Sequence, residues 1–524
     1  MNNKIVIYDT TLRDGMQGIE INYTLTDKIQ IACKLDELQI DYIEGGFPLS
    51  NEKERAFFEK IKKENFSHAK IVAFGSTRKA GVDVEKDVNI QALLKAETST
   101  VAVVGKAWKE HVEKVLRTDI QENLAMIYES IRFLKDHGRE VVFDLEHFFN
   151  GYRDDPQYAI KILQTGTEAG ADTLVLCDTN GGFLPSEVAK IIQSLPMARL
   201  SPIGVHFHND CGTAVANSLI AVENGAVHVQ GTINGWGERA GNANLCVFVP
   251  NICLKTKFSA NICGKLKHLT SLSRFIAEKA NIIPDRRQPY VGEAAFSHKG
   301  GQHADVVSKA PHLMEHIDSS LVGNERKILL SELSGRSTVH KKISKYGNYE
   351  KNSEIVKKLL DQLKWKENEG YEYEAAEASF DILIRKTIGR YTPLFNLNNY
   401  HLESFKTWDA PSKTVGRLFL SSDGKEIMGA AVGIGPVETL DKALRDALTP
   451  FYPFLKRISL IDYRVRVLNP QEAAAAKVRV FITTSDHERS WDTVGVSGNI
   501  IEASWEALVD SMDYYYNNYV LEDY

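Results

Sequence analysis

Residues 173–210 read TLVLCDTNGGFLPSEVAKIIQSLPMARLSPIGVHFHND. An apolar run at Thr173–Cys177 leads into a polar turn, then an amphipathic stretch at Leu184–Gln193, then a second apolar run at Ile203–Phe207. Strand, crossover helix, strand is the pattern of a parallel βαβ unit. The same alternation recurs on both sides of it. Further strand candidates are Lys4–Tyr8, Tyr42–Gly46, Lys70–Phe74, Thr100–Val104, Glu140–Leu145 and Val227–Ile233, and Asp27–Leu38 reads as another helix. Eight repeats within about 275 residues suit a closed α/β (β/α)8 TIM barrel better than an open doubly wound sheet, where five or six strands are commoner.

Chemically capable residues follow the strands: Asp9–Asp14, Glu146-His147, Asp178–Asn180, His206–Asp210 and Asn234–Arg239. Strand ends and the loops after them build the active face of such a barrel. The whole chain has 524 residues, which at roughly 150 per domain allows two to four domains. The spacing predicts a catalytic barrel over 1–275, a linker and helical subdomain over 276–370, and a third α+β region over 371–524. The acidic run Trp365–Glu377 reads as a solvated boundary. The third region carries a near-repeat: Val437 matches Ile501, Glu438 matches Glu502, Ala443 matches Ala507 and Leu444 matches Leu508. With strand patterns at Thr414–Leu420 and Lys477–Thr483, this predicts two β-β-α-like units that bind or dimerise rather than catalyse.

Composition is that of a soluble protein, 43% hydrophobic and 25% charged with net charge -6. That balance argues against a nucleic-acid partner, which needs a concentrated basic field. The six cysteines form no Cys-x-x-Cys pair, so free thiols in a reducing cytosol are expected. No signal-peptide core and no apolar run of about 20 residues is present. A cytoplasmic protein without a membrane partner is the expectation.

His206 and His208 lie two apart on one strand, so both side chains share a face and can reach one ion. Asp14 ends the first strand, a near neighbour of the seventh in a closed barrel, and can supply a third ligand. Asn242, after the eighth strand, can add a carbonyl oxygen. Such a mixed N/O set suits a hard-to-borderline divalent metal ion: Mn, Mg or Zn. The bland alternative is polar groups at a barrel mouth. Arg13 stays charged and can stabilise negative charge on an oxygen, or it forms a structural ion pair. Glu146 follows Phe143 and Leu145; an apolar setting would raise its pKa toward that of a useful base, and a salt-bridged carboxylate is the alternative. The Thr179 hydroxyl can bind a carboxylate, or cap a turn. His303, near His298, is a second metal pair, a loop histidine or a catalytic group.

At these residues the chain resembles the 2-isopropylmalate synthase, homocitrate synthase and citramalate synthase family. The motifs are Asp9-Thr10-Thr11-Leu12-Arg13-Asp14-Gly15-Met16-Gln17, His206-x-His208-Asn209-Asp210 and Asn234–Asn242. Tyr42–Pro48, Phe148–Tyr152, Leu176–Gly182, Val322–Arg326 and Ser331–Arg336 look most like its citramalate-forming branch. Phe47-Pro48-Leu49-Ser50 stands where that branch would have Trp-Pro-Gly-Ser, and Met314 where it would have a tyrosine. The resemblance implies a Claisen-type condensation of acetyl-CoA with pyruvate, with thioester hydrolysis, in isoleucine biosynthesis. It implies metal ligation by Asp14, His206, His208 and Asn242, with Arg13 at the keto oxygen and Gln17 and Thr179 on substrate. Glu146 and His303 would share acid/base work; which is the base stays open. It also implies a helical subdomain and a C-terminal regulatory dimerisation domain in a homodimer, with an amino-acid effector, isoleucine. The rivals are a larger 2-keto acid, a carbon–carbon lyase and a catalytically idle amino-acid sensor.

Overall fold

Eight parallel strands close on themselves in chain order: β1 Val6–Asp9, β2 Tyr42–Gly46, β3 Lys70–Ser76, β4 Thr100–Lys106, β5 Glu140–Glu146, β6 Thr173–Asp178, β7 Ile203–Phe207 and β8 His228–Gly231. Closure is made by β8 against β1, with Val6 opposite His228 and Asp9 opposite Gly231. The computed structural model describes residues 4–298, 306–307, 309–328, 336–422, 424–468, 471, 476–486 and 489–521, with the side chains of 336–338 left aside.

Period-2 alternation sorts the side chains of every strand. Ile7, Ile43, Val101, Val103, Val141, Phe143, Leu174, Leu176, Val205 and Val229 point outward and are buried under the helices. Tyr8, Val72, Ala102, Val142, Val175 and Cys177 point inward and fill the barrel. The helices cover the outer layer because their apolar stripes recur at helical spacing. Leu25–Glu37 buries Ile31, Ala32 and Leu35, and it starts at Thr24, which forms a capping box with Asp27. Expected and observed strands agree to within two residues at each end. β8 stops at Gly231 because the chain then bonds elsewhere: Thr232 N–H donates to Ala243 O at 3.1 Å.

This barrel lies in a first unit, Met1–Phe296 with Ile317–Arg326; a second unit comprises Ser297–His316 and Lys327–Tyr524. In the second unit β9 (Ser297–His298) pairs in parallel with β10 (Lys327–Ile328). Helices Arg336–Ile343, Glu354–Asn368 and Glu377–Ile388 follow. Then come two three-stranded antiparallel sheets: β11 Asn396–Phe405, β12 Lys413–Ser422 and β13 Lys425–Gly433, and β14 Ser459–Val467, β15 Val478–Ser485 and β16 Ser490–Ser497. Each sheet leads into a helix, Pro436–Leu448 or Ile500–Tyr515. The repeat is therefore β-β-β-α, one strand longer than expected. The extra strands were hidden because β11 and β14 are largely exposed edge strands without a clean apolar alternation. The matched pairs Ala443/Ala507 and Leu444/Leu508 are buried in both copies.

Two expectations are corrected. The acidic run Trp365–Glu377 is not a solvated boundary. Tyr373 and Ala376 are buried in a core with Leu359, Leu363, Phe380 and Phe481, and Tyr371 O–H donates to the Glu506 carboxylate. Trp365 and Glu377 at its two ends are exposed, while Glu367, Glu369, Glu372 and Glu374 are half-buried and Tyr373 packs. Nor are all six thiols free: Cys253 and Cys263 form a disulfide, ten residues apart with Cα atoms 5.5 Å apart. The ten-residue spacing is not a motif; a helix and the 3-10 turn after it bring the two together. Cys33, Cys177, Cys211 and Cys246 remain free. Among the described residues no helix is long and apolar enough to cross a membrane.

Candidate active site

The inward positions at the carboxyl ends of the strands are where apolar filling gives way to polar groups. By the alternation above, Glu44, Lys106, Asp144, Glu146, Thr179, His206, His208 and Gln230 all continue inward-facing rows. Asp14 enters from the turn after β1. Its Oδ2 lies 3.6 Å from His206 Nε2 and 4.0 Å from His208 Nε2, and the two Nε2 atoms are 3.4 Å apart. All three residues are buried, and their donor atoms form a group that could hold a metal ion.

Asn242 joins them through an isolated backbone bridge to His208. Its Nδ2 donates to Asp14 Oδ1 at 2.9 Å and to Trp236 O at 3.1 Å. Its Oδ1 is buried with no hydrogen-bond partner, which is costly unless a cation or donor meets it. Gly237 has to be glycine, since a Cβ there would stand 2.0 Å from Asn242 Nδ2 and 3.1 Å from Asp14 Oδ1.

Electrostatics suits the same use. Burial pushes the His206 imidazole down to about 3, and burial also lowers His208, so both rings are neutral ligands. Burial alone would raise Asp14, but the Arg13 guanidinium beside it outweighs that and, with the hydrogen bond from Asn242, holds the carboxyl well below its ordinary range. The residues present fit a divalent ion: two neutral imidazoles, an ionised carboxylate and an unsatisfied carbonyl oxygen.

Arg13 forms the structural ion pair that is one of its two expected roles. Its Nη1 donates to Asp14 Oδ2 at 2.9 Å, its Nε to Glu44 Oε2 at 2.8 Å, and its guanidinium carbon lies 4.1 Å from the Phe74 ring centre. Phe47 braces Phe74 edge-on, with ring centres 6.2 Å apart. Glu44, fully buried, also accepts from Tyr8 O–H and Thr10 O–H.

Glu146 differs from expectation in its surroundings. Phe143 and Leu145 point the other way, into the outer layer, because neighbours on a strand face opposite sides. Glu146 instead forms an ion pair with Lys106, and both side chains are about one-fifth exposed. Thr179 Oγ1 accepts the His147 N–H at 2.8 Å, linking the ends of β5 and β6. Arg239 clamps the neighbouring loops, donating to both Asp210 oxygens and to Thr179 O. Gln17 sits exposed on the 3-10 turn Gly15–Gln17, three residues after Asp14. The structure thus brings Arg13, Asp14, His206, His208 and Asn242 into one cluster and sets Glu146 and Thr179 on adjacent strand ends. His303 lies outside the described residues.

Sequence reasoning missed Glu44, Asp144, Gln230 and Lys106. Each is a polar residue at inward parity on its strand, which is a signal once the barrel is assumed. Gln230 Nε2 donates to Asp144 Oδ1 at 3.0 Å, and burial and Glu44 push the Asp144 carboxyl up to about 8.

Fold and site together define a barrel of the HMGL-like class with an appended LeuA-type domain. The HMGL-like family model matches residues 4–276, the homocitrate synthase post-HMGL domain-like model residues 290–370, and the LeuA allosteric (dimerisation) domain model residues 374–516. The (R)-citramalate synthase of Aquifex aeolicus is 49% identical over 98% of this chain and 98% of its own. That of Geobacter sulfurreducens is 46% identical over 97% of each. A probable 2-isopropylmalate synthase of Methanosarcina mazei is 30% identical over 98% of this chain and 96% of its own. The chain belongs to the citramalate synthase family.

Proposed function

We propose that this chain adds the methyl carbon of acetyl-CoA to the keto carbon of pyruvate and releases (R)-citramalate and CoA. The observation that carries the chemistry is the convergence of Asp14, His206, His208 and Asn242 beside Arg13. The choice of keto acid is supported by full-length similarity to relatives named (R)-citramalate synthase, at 42–49% identity. Relatives named probable 2-isopropylmalate synthase share 30–31%, which disfavours a larger 2-keto acid.

Asp14, His206, His208 and Asn242 would hold a divalent ion (Mn, Mg or Zn), which would supply a Lewis acid for the keto oxygen. Thr179 donates a hydrogen bond to the pyruvate carboxylate, and Gln17 contacts the substrate from its turn. Either Glu146 or His303 takes a proton from the acetyl methyl group, and the other shares the acid/base work. The C–H electron pair attacks the keto carbon, and the carbonyl π pair moves to oxygen. Arg13, fixed by Glu44, stabilises the alkoxide, which a proton converts to the tertiary alcohol. Water then cleaves the thioester, and CoA leaves as the thiol.

The C-terminal region is read as a dimerising module that binds isoleucine and inhibits the barrel. Two helix N-termini, at Pro436 and Ile500, follow glycine turns, and their positive ends favour a carboxylate, although Pro436 has no N–H and Asn499 Oδ1 already accepts the Ile501 N–H. Phe419 and Met428 are cross-strand partners, exposed on one face of their sheet with Val432 nearby, an apolar face suited to a second copy. A panel of 2-keto acids with acetyl-CoA, followed by CoA release, tests the reaction. Turnover restricted to acids larger than pyruvate would overturn it.

A further inference from the structure

A second cluster of ligating side chains stands apart from the one at Asp14. His111 ends a short helix after β4, while Glu146 ends β5 and His147 follows it directly. One donor atom from each lies within 4.8 Å of the other two, and the two imidazole centres are 4.2 Å apart. We propose that His111, Glu146 and His147 bind a second divalent ion, of the nitrogen-preferring zinc class, distinct from the ion held at Asp14.

Five observations support the assignment. His111 Nδ1 is buried and has no hydrogen-bond partner, so the site contains an unsatisfied lone pair or N–H. His147 Nδ1 lies 3.4 Å from Asn150 Oδ1; with the proton on Nδ1, its Nε2 lone pair is left to ligate, the arrangement that outer partners impose on metal-binding histidines. The backbone holds His147 in place. It sits at φ 57°, in the left-handed region, with its N–H on Thr179 Oγ1. Trp108 packs on both imidazoles, with ring centres at 5.2 and 5.6 Å, and its indole N–H is anchored to Asp154. Burial lowers both imidazoles from their ordinary value, and the neutral ring is the ligand form.

The donor set is two imidazole nitrogens and one carboxylate. That favours zinc and its neighbours over magnesium, which prefers oxygen. Lys106 opposes the ion, because its ammonium already pairs with Glu146. An arriving ion has to share that carboxylate or displace the lysine, so affinity is held low and Lys106 sets it. Occupancy would also take Glu146 away from the proton transfer proposed above. That consequence rests on the proposed reaction; the binding itself does not.

The test is equilibrium dialysis of the full-length protein against zinc, with folding checked by circular dichroism. Wild-type protein is expected to bind one more zinc than His111→Ala or His147→Asn, asparagine being chosen because it tolerates the left-handed region. Asp14→Ala is expected to keep this zinc while losing the other. Lys106→Met removes the competing cation and is expected to tighten the weaker site at least about tenfold, the pair being partly desolvated. Equal zinc counts in wild type and both histidine variants, or an unchanged weaker dissociation constant in Lys106→Met, overturns the proposal.

Discussion

Gln230 Oε1 lies 2.9 Å from His206 Nδ1, and this contact fixes which nitrogen of His206 faces Asp14. The Nδ1 proton donates to Gln230, leaving the Nε2 lone pair toward the Asp14 carboxylate and His208. The Gln230 amide in turn donates to Asp144. Outer partners of this kind are worth about 10–100-fold in metal affinity or activity. Gln230→Leu is therefore expected to weaken manganese binding by about that factor with the fold intact. A manganese titration giving the wild-type dissociation constant would refute this role.

Asp14→Ala and His208→Ala are each expected to abolish turnover. Each removes one donor from the proposed metal site. Their circular dichroism spectra should match wild type. CoA release at the wild-type rate in either variant would remove the site from the mechanism.

Pyruvate is expected to be preferred over 2-ketoisovalerate by a large margin. Each extra methylene changes binding in an apolar pocket by only about 1–3 kcal/mol, but a clash with the isopropyl group excludes more strongly. The check is kcat/KM for each acid under identical conditions. Comparable values would contradict the pyruvate reading.

His228 gives a pH dependence remote from the proposed ligands. It is fully buried between Tyr8 and Tyr42, its Nε2 lacks a partner, and burial pushes its pKa down from 6.5 to about 3. A depressed folded value means that its stability contribution is present above pH 6.5 and is lost as pH falls from there toward 3. The loss approaches about 1.4 kcal/mol per pH unit once the unfolded imidazole is protonated. His228→Phe is expected to be less acid-sensitive than wild type between pH 6 and 4, measured by urea unfolding at each pH. Parallel pH profiles would disprove this.

Isoleucine is expected to inhibit the full-length protein at millimolar concentration or below. Truncation after Asn368 is a poor test, because Leu359 and Leu363 of the preceding helix pack in one core with Phe380 and Phe481. A better variant is Ile500→Lys, since Ile500 is 43% exposed at the start of its helix. It should lose isoleucine sensitivity and keep basal CoA release. If wild type shows neither binding nor inhibition, the effector assignment fails and the dimer reading stands alone.

Much of this was legible in order along the chain. Apolar runs such as Thr173–Cys177 and Ile203–Phe207, spaced by helical stretches, are local signals, because parity and helical period are properties of neighbouring residues. The His206-x-His208 pair is legible for the same reason, since two residues apart on a strand always share a face. The near-repeat at Val437 and Ile501 was also visible, but not its polar edge strands.

What the sequence determined by itself was therefore the barrel, the strand-end location of the polar groups and the kind of donors they offer. Tertiary structure alone decided which partners meet. Glu146 follows two apolar neighbours in sequence, yet it pairs with Lys106 from the next strand. Asn242 is 228 residues from Asp14 and donates to it at 2.9 Å, and Cys253 meets Cys263 without a motif. The physical reason is that chain order constrains the face a side chain occupies, whereas a distance across the barrel depends on strand register and closure. Those are fixed only when all eight strands pack together.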